Sequence, residues 1–442
     1  MLPPPASAAD TSRRGAALFL SLPILAWALY DFANTIFTSN IVTIFFPFYL
    51  KEAVGGSETA NQIAGTFITY TNALSSLFLV LLSPLYGVWI DRTGRKKMYL
   101  VPFTLVCVAS TVLMGAAAGY WQTDRTLAGL PLSLAAVLLL FMIAKFTYNS
   151  CLVFYDAMIS DLGRDKEIPL ISGFGVAVGY IGTLVGLGVY PLVGDGGFHR
   201  SFIPSALLFL LFSLPLFLGY KEPPAKPAAG PKPSFFSGYR EIAATFREAR
   251  SYRAVFQFMI AYFFFNDAVA TAITVMGVYA TSVIGFSTSK FILLYLVSTV
   301  SSIIGSFFFG YVTRSLGAKR SVSLVALVMT ASIALASLAF SEAVFWAAGS
   351  LYGVAMGAMW VTSRTMIVEL TPPERRGQFF GLFAFSGKVS SIVGPLLYGS
   401  ITWALADYGN IASRIALGSL LVLVLIGLLF HLRVPYERER GA

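Results

Sequence analysis

Six charged residues stand inside long apolar stretches of this sequence: Asp31, Lys145, Asp156, Asp267, Arg364 and Lys388. Placing a charge in hydrocarbon costs about 2.5–3.5 kcal/mol, so each residue is expected to face a partner or a water-filled cavity. A carboxylate withdrawn from water binds a proton more readily and can carry it, a role that suits Asp31 and Asp267. An ammonium group in such a cavity can bind a carboxylate, a role that suits Lys145 and Lys388.

Both signs of charge in one cavity suit a zwitterionic solute such as an amino acid, whose cationic group Asp267 could bind. The opposing interpretation is that the charges form static ion pairs between helices. Tyr148 and Asn149 follow Lys145 by three and four residues and share its helical face. Aromatic walls with a few polar groups are typical of small-molecule sites, although aromatic residues are abundant here. The aromatic and amide candidates for the solute site are Asn34, Tyr148, Asn149, Asn266 and Trp360.

The apolar stretches themselves predict an all-α polytopic membrane protein. Of the 442 residues, 57% are hydrophobic and 12% are charged, about half the charged fraction of a soluble protein. A helix needs about 20 apolar residues to cross a bilayer. Twelve such stretches are predicted to be transmembrane helices, namely 23–48, 62–90, 98–120, 130–160, 169–192, 202–220, 253–281, 289–312, 321–341, 343–369, 379–405 and 411–432.

The distribution of Lys and Arg predicts the orientation. If the N-terminus is cytoplasmic, 23 of the 31 Lys and Arg residues lie in cytoplasmic segments and five lie in loops on the other face. Such a bias favours two cytoplasmic termini, here in a bacterial inner membrane. The net charge of +10 is then a topology signal that attracts anionic membrane lipids, and no nucleic-acid partner is expected.

The composition of the middle of the chain predicts two halves. Residues 221–252 form a linker that begins with a proline-rich spacer. Residues 235–250 place apolar side chains at helical spacing and predict an amphipathic helix on the cytoplasmic membrane surface or a solvated linker helix. The expected units are a disordered cytoplasmic N-terminus at 1–22, six-helix halves at 23–220 and 253–432, and a cytoplasmic tail at 433–442.

A glycine-punctuated basic motif is repeated in the two halves. It reads Gly87-Val-Trp-Ile-Asp91-Arg92-Thr-Gly94-Arg95-Lys96-Lys97, and a weaker copy runs from Gly310 to Arg320. Two parallel six-helix repeats are typical of transporters that bind their solute where the repeats meet. Aligning Asp161-Leu162 with Glu369-Leu370 places Asp156 opposite Arg364, so the two residues are predicted to pair. Six glycines in the fifth predicted helix, between Gly173 and Gly188, favour close packing at the interface between the halves.

The motif at Gly87–Lys97 resembles the signature loop of the major facilitator superfamily at every defined position. The stretch Trp27-Ala-Leu-Tyr30-Asp31-Phe32-Ala33-Asn34, with Gly387-Lys388 and Gly394-Pro395, resembles the fungal autophagy-linked vacuolar amino-acid effluxers and their bacterial relatives. The resemblance implies the major facilitator fold and a rocker-switch carrier. It also implies that Asp91 faces the start of the eleventh helix and closes the cytoplasmic side.

The implied gate has more members than Asp91. The proposed gating residues are Gly87, Asp91, Arg92, Gly94, Arg95, Asp156, Arg364, Arg375 and Arg376. Gly87 permits close helix approach, Gly94 permits a tight turn, and the arginines are candidate partners of the carboxylates. The alternative for the loop as a whole is that it only anchors the chain by its positive charge.

The functional prediction is a monomeric secondary active transporter that moves a small polar or zwitterionic solute by alternating access. An amino acid is the leading solute, and protons are the expected coupling ion. The alternatives are an exporter of amphipathic drugs or lipids and a transporter-like receptor. No metal site, cofactor or enzymatic activity is expected, because the sequence offers neither a cluster of metal ligands nor a nucleophile with its base.

Overall fold

A computed structural model describes residues 16–54, 58–121, 125–127, 130–193, 197–222, 252–390 and 393–436. The predicted linker helix at 235–250 lies outside the described residues, as do residues 1–15 and 437–442. The described part of the N-terminal segment is structured, because Ala16–Phe19 is a helical turn in which Leu18 is buried. The expectation of disorder up to residue 22 is therefore wrong for residues 16–22.

Within the described residues, twelve helical segments are long and apolar enough to cross a membrane, which confirms the predicted all-α polytopic architecture. We number them as spans 1 to 12. Spans 1 to 6 are Leu22–Leu50, Leu74–Thr93, Lys97–Tyr120, Leu132–Asp161, Ile168–Leu192 and Phe198–Gly219. Spans 7 to 12 are Arg253–Gly277, Leu293–Leu316, Ala318–Ser337, Glu342–Leu370, Pro373–Ala404 and Asn410–Leu432.

Several spans depart from a single regular α-helix. Span 1 joins the α-helices Leu22–Phe37 and Phe46–Val54 through a π-helical stretch at Thr38–Phe45. Spans 2 and 8 lie within longer α-helices, Glu58–Thr93 and Thr288–Leu316, which begin before the apolar stretches do. In span 11 the described helical stretches are Arg376–Ser390 and Val393–Ala404, and residues 391–392 lie outside the described residues.

The remaining elements are short. Two-residue strands at Thr126–Leu127 and Leu130–Pro131 pair antiparallel between spans 3 and 4. Short 3₁₀ segments lie at the ends of several spans. Ile159–Asp161 and Leu187–Leu192 end spans 4 and 5, and Phe198–Ser201 and Pro373–Arg375 begin spans 6 and 11. Ala406–Tyr408 precedes span 12. A second π-helical stretch, Ala280–Ile284, ends the helix of span 7.

The second glycine of each motif copy makes the turn that separates two consecutive spans. Gly94 has φ of 67° between spans 2 and 3, and Gly317 has φ of 86° between spans 8 and 9. Side chains with a Cβ rarely adopt this left-handed conformation, so glycine is required at both turns. The predicted tight turn at Gly94 is confirmed, and the copy repeats it.

The glycines of span 5 pack differently from the prediction. Gly173 does face the other half, where a Cβ would lie 2.7 Å from the carbonyl oxygen of Ser306 in span 8. Gly175, Gly179, Gly182 and Gly186 instead contact side chains and main chain of span 1, within the same half. The prediction that this glycine stripe serves the interface between halves is wrong for these four residues. Their role is to bring span 1 close to span 5.

The two halves meet most closely at one end of the bundle, which we call the motif end. It holds residues 91–97, 161–167 and 371–377. Span 2 crosses span 11 there so closely that a Cβ on Gly87 would lie 2.5 Å from the carbonyl oxygen of Gly377. Spans 5 and 8 approach similarly, because a Cβ on Gly310 would lie 3.0 Å from the carbonyl oxygen of Pro169. The described structure is closed at the motif end.

Candidate functional site

An arginine from one half meets two carboxylates from the other inside the bundle. Arg364 of span 10 places Nη2 2.9 Å from Oδ1 of Asp156 in span 4 and Nη1 3.9 Å from Oδ2 of Asp31 in span 1. The three side chains are only 9%, 19% and 12% exposed, in that order. At 1.5 Å per residue, the cluster lies about 8–14 Å from the motif end. The structure thus contains the predicted Asp156–Arg364 pair and adds Asp31 to it.

Two stacked aromatic rings accompany the guanidinium of Arg364. The rings of Trp27 and Tyr155 lie 4.6 Å apart at 9° to one another, and Trp27 Nε1 donates to the carbonyl oxygen of Tyr155 at 3.1 Å. The guanidinium carbon of Arg364 lies 5.9 Å from the Trp27 ring centroid and 5.6 Å from that of Tyr155. A cation is attracted to ring faces at such distances. The rings therefore help to hold the arginine in the apolar interior.

Buried amides lie next to the cluster. Asn34 follows Asp31 by three residues on the same helical face, and it is 1% exposed. Neither its amide nitrogen nor its amide oxygen has a hydrogen-bond partner within the described parts of the chain. The amide nitrogen of Asn149, a residue that is 3% exposed, is also unpartnered there. Buried amides normally find partners, so these groups offer hydrogen bonds to a polar ligand. By contrast, the Tyr148 hydroxyl accepts a hydrogen bond from Thr38.

Two lysines enlarge the charged region. Lys145 of span 4 and Lys388 of span 11 are half-buried and come from opposite halves. They lie within electrostatic range of one another, and Lys388 is also within range of Asp156. With Arg364, Asp31 and Asp156, the centre of the bundle holds three cationic groups and two carboxylates. When all are ionised, this centre carries an excess positive charge that an anionic group of a solute would balance.

Asn266 and Asp267 are not in this cluster. Asp267 is fully buried, and its Oδ1 accepts a hydrogen bond from the main-chain N–H of Gly394 in span 11 at 2.8 Å. Asn266 donates to the carbonyl oxygen of Gly387 at 2.7 Å. Asn266 and Trp360 do share the lining of a gap of about 170 Å³ with Tyr262, Val269, Met356 and Met359, but this gap nowhere admits a sphere the size of a water molecule.

The motif end contains the contact that the resemblance implied for Asp91. Its Oδ1 accepts from the main-chain N–H of Gly377 at 2.8 Å, and its Oδ2 accepts from that of Gln378 at 2.7 Å. Both N–H groups belong to the first turn of helix Arg376–Ser390, where the helix dipole favours a carboxylate. A side chain of span 2 therefore binds span 11 directly across the interface between halves.

The basic residues near Asp91 have separate surroundings. Arg376 contacts Asp165 across the halves at 3.1 Å, with Asp165 64% exposed, whereas Arg375 lies 5.4 Å from the ring of Tyr252 within its own half. Arg92 lies in the last turn of span 2, and the exposed Arg95 approaches the sulfur of Met98. The Arg376–Asp165 pair therefore joins the two halves.

A tyrosine and a carboxylate close the motif end of each half in the same way. Tyr220 follows span 6 and donates to Oδ2 of Asp161 at 2.8 Å, and Tyr436 follows span 12 and donates to Glu369. Asp161 and Glu369 are the aligned acids at the ends of spans 4 and 10. Lys96 also binds Asp161, at 2.6 Å. Burial lowers the pKa of the Lys96 ammonium, and Asp161 acts in the opposite direction. Burial raises the pKa of the Tyr220 hydroxyl, so it remains a donor at neutral pH.

A lysine of each motif copy covers the end of the last span of its half. Lys97 Nζ donates to the carbonyl oxygen of Tyr220 at 2.9 Å, and Lys319 Nζ donates to that of Val434 at 2.7 Å. Carbonyl groups at a helix C-terminus lack main-chain partners and favour a cation. In both halves, a lysine of the motif copy therefore binds a main-chain carbonyl group after the last span. Only the first copy supplies a carboxylate to the other half.

Comparison with known proteins identifies the family. A sequence model for "Vacuole effluxer Atg22 like" proteins matches residues 166–442. The chain belongs to the Atg22-like family. Its relative YxiO of Bacillus subtilis, an uncharacterized MFS-type transporter, is 27% identical over 425 residues, which cover 93% of this chain and 94% of YxiO. Autophagy-related protein 22-1 of Aspergillus niger is 25% identical over 297 residues, which cover 61% of this chain and 48% of the fungal protein. The match thus spans about half the length of that fungal relative.

Solved structures show the same fold. The human organic anion transporter MFSD10 (TETRAN) superposes with a TM-score of 0.70 at 15% identity, over 93% of this chain and 98% of that one. The transporter FucP in an outward conformation superposes with a TM-score of 0.70 at 13% identity, over 94% and 99% of the two chains. This Atg22-like chain is therefore a transporter of the major facilitator superfamily, as its motif indicated.

Some site residues of this Atg22-like transporter were missed from the sequence. The stacking of Trp27 on Tyr155 beside Arg364 was missed, because nothing in the sequence pattern shows that the two rings meet there. Tyr220 and Tyr436 were missed because Tyr220 is the last residue of a predicted helix and Tyr436 lies beyond one; their similar placement at the ends of spans 6 and 12 was the available signal. The expectation of no metal site stays a prediction; within the described residues no group of three or more His, Cys, Asp and Glu is placed to hold a metal.

Proposed function

We propose that this chain moves a small polar or zwitterionic solute, with an amino acid as the leading solute, across the cytoplasmic membrane by alternating access. The observation that carries the proposal is the cluster of Arg364, Asp156 and Asp31, which joins the halves beside the unpartnered amide of Asn34. Excess positive charge suits the carboxylate of the solute. The family description as vacuole effluxers supports a transported solute rather than a receptor function.

Proton coupling is assigned to Asp31 in this proposal. Asp31 sits 3.9 Å from Arg364, whereas Asp156 makes the short contact at 2.9 Å. The more loosely paired carboxylate is the one that a proton neutralises at lower cost, since less electrostatic attraction is lost. Protonation of Asp31 would leave Arg364 available to the solute carboxylate. Proton and solute binding are then linked through one arginine.

The motif end is the cytoplasmic end in this proposal, and both termini lie in the cytoplasm. The bias of Lys and Arg towards the segments at this end supports the orientation. The described structure then corresponds to a state closed to the cytoplasm, in which Asp91 and the crossing at Gly87 hold the halves together. The protein is proposed to act as a monomer with lipids around it.

An exporter of amphipathic compounds is the second candidate. Its support is the lining of the gap beside Trp360, where Met356 and Met359 supply flexible apolar surface. A solute panel separates the candidates, because amphipathic cations would compete at an apolar wall and would not require Arg364.

The test is uptake into proteoliposomes with radiolabelled amino acids, sugars and amphipathic cations, with and without an imposed pH gradient. We expect uptake of an amino acid that the gradient stimulates, and its loss in Asp31→Asn and Arg364→Lys. Glu342→Gln is the matched control, because Glu342 forms an ion pair with Lys290 in which both side chains are about half exposed. Absence of flux for every solute under both conditions would contradict the proposal.

A further inference from the structure

Two consecutive polar residues of span 7 bind span 11 at two points. Asn266 Nδ2 donates to the carbonyl oxygen of Gly387 at 2.7 Å and lies 2.8 Å from Oγ of Ser390. Asp267 Oδ1 accepts from the main-chain N–H of Gly394 at 2.8 Å. One side chain therefore satisfies a carbonyl group and the next satisfies an N–H group seven residues further along span 11.

Pro395 of span 11 directly follows the residue that Asp267 binds. A proline has no N–H to donate to the helix, and its ring crowds the carbonyl of the residue four positions earlier. A main-chain polar group without a partner is especially costly inside a membrane. Asn266 and Asp267 supply polar partners on the N-terminal side of this proline.

Close packing makes the same junction rigid. A Cβ on Gly394 would overlap Oγ1 of Thr271 and would lie 2.9 Å from Oδ1 of Asp267. Five residues later on the same helix, Gly399 has no atom within 4 Å of such a Cβ. Towards the motif end, the rings of Tyr262 and Phe383 lie 4.1 Å apart, and Ser386 donates to the carbonyl oxygen of Met259. Span 11 thus packs on span 7 at residues 383–390 and again at Gly394.

Lys388 is the residue whose position this junction determines. It follows Gly387, whose carbonyl oxygen Asn266 binds, and it is half-buried. The helix that carries Lys388, Arg376–Ser390, packs against span 4 of the other half, and Lys145 and Asp156 on that span interact electrostatically with Lys388. A rotation of span 11 on span 7 would carry the ammonium group away from span 4. The hydrogen bonds of span 7 therefore set which way Lys388 points.

We propose that Asn266 and Asp267 are positioning residues that lock span 11 onto span 7 and thereby aim Lys388 at span 4. In this role Asp267 acts as a hydrogen-bond acceptor rather than as a proton carrier or a solute ligand, in contrast to the expectation from the sequence. Spans 7 and 11 then move as one body when the halves rock. The inference rests on the proposed transport function only in taking the space between spans 4 and 11 as the solute path.

The first test measures the reactivity of a cysteine at position 388 and needs no solute. Lys388→Cys is labelled with a water-soluble maleimide in membrane vesicles, and the parent, whose Cys107 and Cys151 are buried, gives the background. Asp267→Asn keeps an oxygen acceptor for the Gly394 N–H, so the labelling rate should stay within about twofold. Asp267→Leu removes the acceptor, and the rate should change by about tenfold, in keeping with the loss of a buried hydrogen bond to a charged group.

The second test uses a matched pair of glycines and also covers the case in which Asp267→Leu fails to fold. In the Lys388→Cys protein, Gly394→Ala should change the labelling rate as Asp267→Leu does, whereas Gly399→Ala should not. Adding Thr271→Ala to Gly394→Ala removes the overlapping hydroxyl and should restore part of the rate. An unchanged rate in both Gly394→Ala and a monodisperse Asp267→Leu would overturn the proposal, as would equal effects of Asp267→Asn and Asp267→Leu. Because labelling requires no transport, these outcomes are independent of whether the transport assay succeeds.

Discussion

At the scale of single residues, the central charges differ in what surrounds them. Asp156 has the short contact with Arg364, Asp31 has the longer one, and Asp267 binds main-chain N–H instead of a cation. The same residue type therefore occurs as a close ion-pair partner, a more distant one and an acceptor of a main-chain hydrogen bond within one bundle.

Removing the close partner of Arg364 should destabilise the protein strongly. Asp156→Leu leaves the buried guanidinium with only the carboxylate at 3.9 Å, and breaking a buried ion pair costs about 3–5 kcal/mol. Thermal unfolding in detergent, followed by tryptophan fluorescence, measures the loss. Glu342→Gln breaks an exposed pair and should cost less than about 1 kcal/mol. Equal shifts in the two variants would show that the Arg364 cluster is not buried as described.

Replacing Asn34 should separate stability from transport. Its amide has no partner within the described parts of the chain, so Asn34→Ala loses no protein hydrogen bond, and the unfolding temperature should stay constant or rise. Solute uptake should fall by about tenfold, because a ligand would lose a buried hydrogen bond. A lower unfolding temperature with normal uptake would assign Asn34 to the fold instead of the site.

At the scale of helices, the crossing of span 2 over span 11 depends on the absence of side chains as much as on the Asp91 carboxylate. Gly87 and Gly381 allow the two backbones to touch, since a Cβ on either would lie 2.5 Å from a carbonyl oxygen of the other helix. The two Asp91 hydrogen bonds then fall within reach. The close approach of the two helices and the Asp91 hydrogen bonds depend on each other. Loss of either one should therefore open the motif end.

Gly87→Ala should shift the protein towards the state that is open at the motif end, and Asp91→Asn should do the same. In Asp91→Asn the new amide places an N–H group against a main-chain N–H, so one hydrogen bond is lost. The readout is maleimide labelling of Ser172→Cys, because Ser172 is buried where span 5 meets span 10. We expect labelling from the motif side to rise about tenfold, whereas Gly188→Ala, which has no neighbour within 4 Å, should leave it unchanged. Unchanged labelling in both Gly87→Ala and Asp91→Asn would contradict a gating role.

The sequence predicted which helices exist and that Asp91 meets the start of span 11, because long apolar stretches and the glycine-punctuated motif are local signals. The pairing of Asp156 with Arg364 was also predictable, since the internal repeat aligns the two positions. The positions of Asp267 and of the span 5 glycines were not, because the sequence gives the face of a helix but not the neighbour that covers it. Trp27 stacking on Tyr155 depends on the crossing of spans 1 and 4, which no local pattern encodes.

At the scale of the whole molecule, the two halves are similar in their internal closure and different in how they bind one another. Tyr220 with Asp161 and Tyr436 with Glu369 repeat one contact, and Lys97 and Lys319 repeat another. Across the interface, by contrast, Asp91 has no acidic counterpart, since Arg314 stands at the aligned position of the second copy. The duplication preserved the parts that stabilise each half, and the gate is asymmetric.

The two tyrosines should contribute independently to stability. Tyr220→Phe and Tyr436→Phe each remove one hydrogen bond to a carboxylate and should each lower the free energy of unfolding by about 1.5–3 kcal/mol. The sites lie in different halves without a shared partner, so the double variant should show the sum of the two losses. Thermal or denaturant unfolding of the four proteins measures this. A double variant no less stable than either single one would show that the two contacts are coupled.

The contacts of Lys319 have a practical consequence for how the protein is handled. This lysine binds the carbonyl oxygens of Leu432 and Val434, and Tyr436 binds Glu369, so the residues just after span 12 are part of the folded unit. An affinity tag or a fluorescent fusion partner joined at residue 432 would remove these contacts and lower the yield of folded protein. A tag joined beyond residue 436 would keep them.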